Sequence, residues 1–288
     1  MARADTLAAR ASAPALWWRL VSAAIKLYWC RGRGRDDPAQ RNFGDFLSPL
    51  LVEMLSGKSV RYAPVHKADM MAIGSILPRE HKARRFGWPR RLHVWGTGTD
   101  AEDRHFSGRH YYHALRGQKS LEQVEGLRMH PALGDPGLLA AAWWAGRGHV
   151  PKRYRIGLIP HYVDQQDAAL REIACLPGVC LIDVFWPVDE VLRAIQACDF
   201  VFSSSMHGLI VADAFAIPNR RLRLSSGLIS DFKFVDYYSA FALDEPQPLA
   251  REMLGQLAQY DPGALIGDYQ RPGLASLQDG LIKAFPCI

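Results

Sequence analysis

The sequence lacks the cysteine pattern of a disulfide-bonded or zinc-binding protein. Its 288 residues include five cysteines, an odd number, and no two of them form a CxxC pair. Disulfide frameworks and thiolate zinc sites both need regularly spaced cysteines. We therefore expect reduced thiols, a cytoplasmic protein and no metal site.

Long apolar runs and nucleic-acid motifs are also missing. Residues 16–30 are rich in Trp, Leu and Tyr, but Arg19 and Lys26 interrupt them. A membrane span needs about 20 apolar residues and a secretory signal needs an uncharged apolar core, so neither is expected. Zinc-finger spacing, a basic zipper and an aromatic RNP strand are all absent, which argues against a nucleic-acid partner.

What the sequence does contain is apolar content and positive charge. Hydrophobic residues make up 49% of the chain, enough for one large core or two ordinary ones. Thirty-five basic residues stand against 29 acidic ones, for a net charge of +6. Such a surplus favours anionic partners, either a phosphorylated substrate or a membrane face.

The first 36 residues are predicted to form an amphipathic, basic segment. On a helix, one side would carry the apolar residues Leu16, Trp17, Leu20, Val21, Ala24, Leu27 and Tyr28, and three arginines follow at 31, 33 and 35. Such a helix suits an anionic membrane interface, with peripheral contact through residues 14–35 on the inner face of the plasma membrane. The same pattern also suits a helix packed on the body of the protein.

Short apolar runs followed by Gly, Ser or Thr dominate the rest of the chain. The predicted strands are 70–73, 92–95, 113–115, 156–159, 179–184 and 200–202, and a helix capped by Asp45 or Ser48 is expected to run to about Leu55. This alternation is typical of doubly wound parallel sheets with ligand loops at one edge. It predicts an α/β fold of two Rossmann-like domains, 37–150 and 151–288, facing a cleft, with a hinge near residues 146–155.

Residues 198–218 carry the clearest chemical signal. An apolar strand meets three serines and then His207, at the start of an apolar helix. Free N–H groups at such a helix start, together with the hydroxyls of Ser204 and Ser205, favour a phosphate or carboxylate. His207 would then lie beside the anion as a proton donor. Alternatively, a serine merely caps the helix and His207 is a half-buried turn residue.

Short motifs follow one another along the chain: Asn42-Phe43-Gly44-Asp45, Gly74-Ser75-Ile76-Leu77, Val94-Trp95-Gly96-Thr97-Gly98, Arg116-Gly117, residues 133–139, Ile159-Pro160-His161 and residues 203–218. Their order resembles that of the polysaccharide pyruvyl transferase family, most closely its xanthan-type ketal pyruvyltransferases. The resemblance covers roughly residues 42 to 240. It implies a fold similar to B-type glycosyltransferases and transfer of the enolpyruvyl group of phosphoenolpyruvate to a sugar diol. The sugar would belong to an exopolysaccharide or a lipid-linked oligosaccharide, the product would be a pyruvate ketal and phosphate, and no cofactor would be needed.

The resemblance also implies roles for individual residues. His207 would be the general acid, and His161 would orient the donor or deprotonate an acceptor hydroxyl, unless it is only a surface loop residue. Phosphoenolpyruvate carries a carboxylate and a phosphate, which need cationic groups and N–H donors. Arg116, at a strand end, fits an anion clamp, and Ser204 and Ser205 fit the phosphate.

One departure from the wider family concerns the phosphate ligands. Some members have an arginine close before the histidine, where this chain has Ser205 and Met206. Lys233 would supply the missing charge, unless it is a solvated lysine. Asn42 and Asp45 would hold acceptor hydroxyls from the N-terminal side, although the same residues also make a good turn.

Two other functions fit parts of the pattern. A nucleotide-sugar glycosyltransferase would share the fold and the basic cleft but needs an acidic residue for the ribose, for which Glu190 is the only loose candidate in the second half. A noncatalytic carbohydrate-binding protein would not need a histidine at an anion-binding helix start.

Overall fold

The computed structural model describes residues 24–32, 40–225, 227–258 and 261–288. Fifteen strands lie in these ranges: β1 (Ile25–Tyr28), β2 (Val60–Tyr62), β3 (Met70–Met71), β4 (Arg84–Arg85), β5 (Trp88–Pro89), β6 (His93–Trp95), β7 (Phe106–Ser107), β8 (Tyr111–Leu115), β9 (Val124–Glu125), β10 (Ala132–Leu133), β11 (Tyr154–Ile159), β12 (Val179–Leu181), β13 (Cys198–Ser203), β14 (Asn219–Arg223) and β15 (Leu249–Ala250).

The same ranges contain nine α-helices: α1 (Phe43–Ser56), α2 (Gln118–Glu122), α3 (Ala140–Trp144), α4 (Ala168–Ala174), α5 (Val188–Gln196), α6 (Met206–Ala214), α7 (Phe232–Ser239), α8 (Pro262–Ile266) and α9 (Leu274–Lys283). Three 3₁₀ helices accompany them at Leu77–Lys82, Pro136–Leu139 and Arg251–Ala258. No helix in the described part of the chain has the length and apolar content needed to cross a membrane.

Two parallel sheets organise these elements, and the α/β class is confirmed. The first has the strand order β10-β8-β6-β3-β1-β2, and the second has the order β12-β11-β13-β14-β15. Because parallel strands point the same way, the loops after their carboxyl ends gather at one edge of each sheet. Strand β13 lies between β11 and β14, which brings Ser203 opposite Ile159.

The predicted helix over residues 16–28 is wrong in its last turn. Ile25–Tyr28 is strand β1, which pairs with β2 on one side and β3 on the other. Ile25, Leu27 and Tyr28 are buried there, so sheet pairing overrides the helical spacing of the apolar residues. Residues 14–23 and 33–35 of the predicted membrane contact lie outside the described residues.

The other sequence-predicted elements are present, with shifted ends. The helix expected to begin at Asp45 or Ser48 begins one turn earlier, because Asn42 is its N-cap and Asn42 Oδ1 accepts from Gly44 N at 3.0 Å. Ser48 is buried instead, and its Oγ accepts from Ile73 N at 3.3 Å. The sequence pattern placed the helix correctly but assigned its cap to the wrong polar residue.

The largest apolar core contains side chains from both halves of the chain. Leu47 of α1, Val191 of α5 and Leu209 of α6 are all fully buried in it. Helix α9 packs on the first sheet, where Trp95 Nε1 donates to Leu281 O at 3.0 Å. The division into domains at residue 150 and the cleft between them stay predictions.

Candidate active site

The turn between β13 and α6 is fixed by serine hydroxyls. Ser204 Oγ donates to Asp164 Oδ2 at 2.5 Å and accepts from His161 N at 2.8 Å. Ser203 Oγ lies 2.8 Å from both Ile159 O and Ser205 O. These bonds tie the serine turn to the loop that follows β11.

Helix α6 begins at this turn with donors that have no partner. Ser205 occupies the N-cap position, but its side chain makes no cap bond. Within the part of the chain that the structure describes, neither the Ser205 hydroxyl nor the amides of Met206 and His207 form a hydrogen bond. The positive end of a nine-residue helix and three free donors therefore meet at one point, which suits an anion.

The imidazole of His207 packs directly against the start of α1. A Cβ atom on Gly44 would lie 2.1 Å from His207 Nδ1 and 2.2 Å from its Cγ, so only glycine admits the ring at this place. Phe43 N donates to Val184 O at 2.8 Å and holds the helix start in position. The side chain of His207, in the first turn of α6, is thus held against the N-terminus of α1.

The surroundings of His207 disfavour its positive charge. Burial, together with the charges of Lys233, Arg116 and His161, lowers the pKa of His207 to about 3. Its Nε2 atom is buried and has no hydrogen-bond partner among the described residues. A buried polar atom of this kind calls for an explanation, and a bound ligand is one.

Lys233 and Asp45 carry opposite charges into the same cluster. Burial lowers the pKa of Lys233 to about 8, helped by Arg116 and Arg221 and opposed by Asp45 and Asp100. Burial also raises the pKa of Asp45 to about 7, which Lys233 opposes. No described residue hydrogen-bonds to either side chain or forms an ion pair with it; the Phe234 ring lies 5.2 Å from Lys233 Nζ.

His161 joins the cluster from the loop after β11. Burial, together with the charge of Lys233, lowers the pKa of His161 to about 4. Its Nδ1 lies 3.4 Å from Val163 N, and its ring lies 4.2 Å from that of Tyr162. Lys233 acts electrostatically on His161, His207 and Asp45, and the His207 ring packs on Gly44, the residue before Asp45, so these four predicted site residues form one cluster.

Arg116, in contrast, has its charge matched inside the protein. Its guanidinium is fully buried, with Nε donating to Asp236 Oδ2 at 2.8 Å and Nη1 donating to Ser75 Oγ at 2.8 Å. Nη2 donates to Thr99 O. The anion clamp assigned to Arg116 stays a prediction, and the structure gives this residue a structural partner.

Two residues of this region were missed by the sequence reasoning. Asp236 accepts from Arg116 and also from Ser120 N and Ser120 Oγ, each at 2.7 Å. A single acid among Phe234, Tyr237 and Tyr238 is the signal that would have predicted a buried pair. The contact of Gly44 was also missed, although glycine in the first turn of a helix often marks a close approach.

Asn42 and Ser204 already use polar atoms inside the protein. Asn42 Oδ1 caps α1, and the Ser204 hydroxyl both donates and accepts within the serine turn. Their predicted contacts with acceptor and donor stay predictions. Among the residues that the structure describes, no three His, Cys, Asp or Glu side chains group as metal ligands would.

A cavity of about 490 Å³ lies close to the first turn of α1. It is lined by aromatic and basic side chains, among them Tyr28, Trp29, Tyr62, Arg79 and Lys82. The ring of Trp29, which lines the cavity, lies 6.0 Å from that of Phe46, the residue after Asp45. Trp29 Nε1 is buried and has no hydrogen-bond partner among the described residues.

Comparison with known proteins gives one family and two relatives. The model of the polysaccharide pyruvyl transferase family matches residues 42–226. An uncharacterized protein of Acanthamoeba polyphaga mimivirus is 28% identical over 228 residues, 74% of each chain. The succinoglycan biosynthesis protein ExoV of Rhizobium meliloti is 30% identical over 109 residues, which is 37% of this chain and 34% of ExoV.

Among solved structures, an uncharacterized protein from Klebsiella pneumoniae is similar with a TM-score of 0.45 and 10% identity. The similarity covers 81% of this chain and 94% of that one.

Proposed function

Because the chain belongs to the polysaccharide pyruvyl transferase family, we propose that it transfers the enolpyruvyl group of phosphoenolpyruvate to two hydroxyls of one sugar. The sugar belongs to an exopolysaccharide or a lipid-linked oligosaccharide. The observation that carries the proposal is the cluster of His207, Lys233, Asp45 and His161 at the facing N-termini of α1 and α6.

The donor would bind through its two anionic groups. Lys233 offers an ammonium group without a hydrogen bond or ion pair to any described residue, and α6 offers the Ser205 hydroxyl and the amides of Met206 and His207. A carboxylate and a phosphate need at least two such positive or donor groups. The helix start supplies one and Lys233 supplies the other.

His207 would become a competent acid when the donor anions lie beside it. A unit negative charge about 4 Å away contributes about 4 kcal/mol at an effective dielectric constant of about 20, or about 3 pKa units. Two anionic groups are therefore enough to move the pKa of His207 from about 3 to near neutrality. The imidazolium would then give its proton to the methylene carbon of the donor.

Carbon protonation leaves an oxocarbenium-like centre that one sugar hydroxyl attacks. Loss of phosphate and attack by the second hydroxyl complete the ketal, and the two hydroxyl protons replace the proton given to carbon and the one carried off with phosphate. Asp45 has a pKa of about 7 and suits the acceptance of a hydroxyl proton, a role that His161 shares. The aromatic cavity beside Asp45 has room for the sugar rings.

The test is a donor and acceptor assay. The protein is incubated with phosphoenolpyruvate and a panel of lipid-linked or aryl glycosides of mannose, glucose and galactose. Phosphate release and a mass gain of one pyruvyl ketal are the expected results. A donor present at about 100 times its dissociation constant should also add about 2.7 kcal/mol to the free energy of unfolding.

Two results would contradict the proposed function. A nucleotide sugar that raises the melting temperature, with no response to phosphoenolpyruvate, would reassign the chain to glycosyl transfer. No phosphate release with any acceptor would contradict the proposed reaction.

A further inference from the structure

The hairpin formed by β4 and β5 exposes two aromatic side chains. The strands pair Arg84 with Pro89 and Arg85 with Trp88, so the turn consists of Phe86 and Gly87 alone. Phe86 is 89% exposed and Trp88 is 77% exposed. The aromatic rings at this tip therefore contribute little to the core.

Phe86 also has an unfavourable backbone conformation for a bulky residue. Phe86 has φ 51° and Gly87 has φ 80°, so both central residues of the turn have positive φ. Two-residue hairpin turns of this kind favour Asn-Gly, and a bulky residue in the left-handed region is strained. The hairpin thus keeps an aromatic residue where a small polar one would be more stable.

Positive charge surrounds the two rings. The exposed side chains are Lys82, Arg84, Arg85 and Arg91, and Arg90 is partly buried against His66 and Asp69. The only acid between residues 79 and 91, Glu80, is buried and contacts His110 at 2.6 Å and Arg109 at 3.2 Å. The exposed charged side chains of residues 82–91 are therefore all basic.

We propose that this hairpin binds the surface of an anionic lipid bilayer. Phe86 and Trp88 enter the interfacial layer, and the surrounding arginines pair with lipid phosphates. A protein partner is disfavoured because a stable interface buries about 800 Å² per partner, more than a four-residue tip offers. The apolar rings and the basic side chains lie on the same turn, so the rings can enter the bilayer interface while the cations contact the anionic headgroups.

The hairpin also lies beside the aromatic cavity near Asp45. Arg79 and Lys82 line that cavity, and Arg90 Nη1 donates at 2.9 Å to the carbonyl oxygen of His66, another lining residue. A bilayer at the hairpin would bring the headgroup layer close to this opening. For the proposed function, a lipid-linked acceptor would then have a short route to the cluster.

The experiment measures co-sedimentation of the full chain with vesicles. Vesicles of equal parts phosphatidylglycerol and phosphatidylcholine are compared with pure phosphatidylcholine vesicles, without any substrate. The key variant is Phe86→Asn, which relieves the strained turn and should keep or raise the melting temperature. It should weaken binding to anionic vesicles on the order of tenfold, the value of removing one large apolar group from the interface.

The charge variant is Arg84→Gln with Arg85→Gln. It should weaken the same binding by roughly 30-fold, since each basic residue contributes about a fivefold factor near an anionic surface. The matched control is Arg128→Gln with Met129→Ser, a cation and a 79% exposed apolar residue in another loop. The control should bind as the unmodified chain does.

Three results would overturn the proposal. The first is equal binding of the unmodified chain to both vesicle types, or no binding to either. The second is unchanged vesicle binding by Phe86→Asn and by the double arginine variant. The third is a loss of binding to a single-stranded RNA in these variants with vesicle binding intact, which would assign the hairpin to nucleic acid.

Discussion

Gly44→Ala tests the packing of the site with the smallest possible change. A new Cβ atom would lie 2.1 Å from His207 Nδ1, 2.2 Å from Cγ and 2.5 Å from the His207 Cβ atom. A change of the His207 χ1 angle can relieve the contacts with Nδ1 and Cγ but not the contact with Cβ, so α1 and α6 must move apart. Alanine in a helix ordinarily gains up to about 1 kcal/mol over glycine, whereas overpacking of this kind costs about 1–3 kcal/mol.

The expected result is a lower melting temperature and a loss of turnover together. We expect a net destabilisation of about 1–2 kcal/mol by chemical denaturation, the overpacking cost less part of the propensity gain. Turnover should fall by about 100-fold, since a displacement of about 1 Å can cost that much. Phosphate release measures the second effect.

The control is the same substitution at Gly280, inside α9. A Cβ atom there would meet Ala132 Cβ at 3.9 Å, an ordinary contact, so Gly280→Ala should stabilise the protein by about 0.5–1 kcal/mol and leave turnover unchanged. If Gly44→Ala instead raises stability and leaves turnover unchanged, as Gly280→Ala should, then His207 does not pack on Gly44 and the proposed cluster at the start of α1 is wrong.

Four further predictions concern His207, Lys233 and Arg116. His207→Gln should lower turnover by about 100-fold or more while the thermal shift with phosphoenolpyruvate is retained; normal turnover would move the acid to Asp45 or His161. Lys233→Met should raise the dissociation constant of phosphoenolpyruvate about tenfold or more by calorimetry, and an unchanged constant would remove it from the donor site. Arg116→Ala should destabilise the fold by about 3–5 kcal/mol, because the Asp236 carboxylate would be left buried without its cation. If the variant is as stable as the unmodified chain and only binds the donor more weakly, Arg116 is the anion clamp that the sequence predicted. Burial lowers the pKa of His207 from 6.5 to about 3, so the buried neutral imidazole destabilises the fold increasingly as pH falls below 6.5. His207→Gln should therefore recover about 2 kcal/mol of unfolding free energy at pH 5 relative to pH 7, measured by chemical denaturation at both pH values, and an equal change at the two pH values would contradict the burial of His207.

The sequence was sufficient where local patterns determine structure. Buried strands followed by small polar residues indicated the parallel sheets, and β11 and β13 lie where the pattern placed them. Strand β1 could not be predicted from its own residues. Its apolar spacing fits a helix, and the strand forms because β2 and β3 offer backbone partners on both sides.

The same limit applies to the site. The helix start at His207 was recognisable because serines, a histidine and an apolar helix are adjacent in the sequence. The pairing of Arg116 with Asp236 joins residues 120 positions apart, and no local pattern reveals whether a strand-end arginine faces a ligand or a buried acid. The exposure of Phe86 and Trp88 could not be predicted either. A Phe-Gly turn between two arginine pairs does not indicate whether its aromatic rings face the core or the solvent.

The bond between Trp95 Nε1 and Leu281 O has a consequence for synthesis on the ribosome. Leu281 lies 186 positions after Trp95, so the indole N–H has no Leu281 carbonyl to bind until the residues of the second sheet have been translated. At about 5–20 residues per second, this interval is roughly 10–40 s. During that time the first sheet presents an uncovered apolar face beside Trp95, at the place where α9 and Phe285 later pack. Until α9 has been translated, the nascent chain is therefore open to chaperone binding and to aggregation at this face.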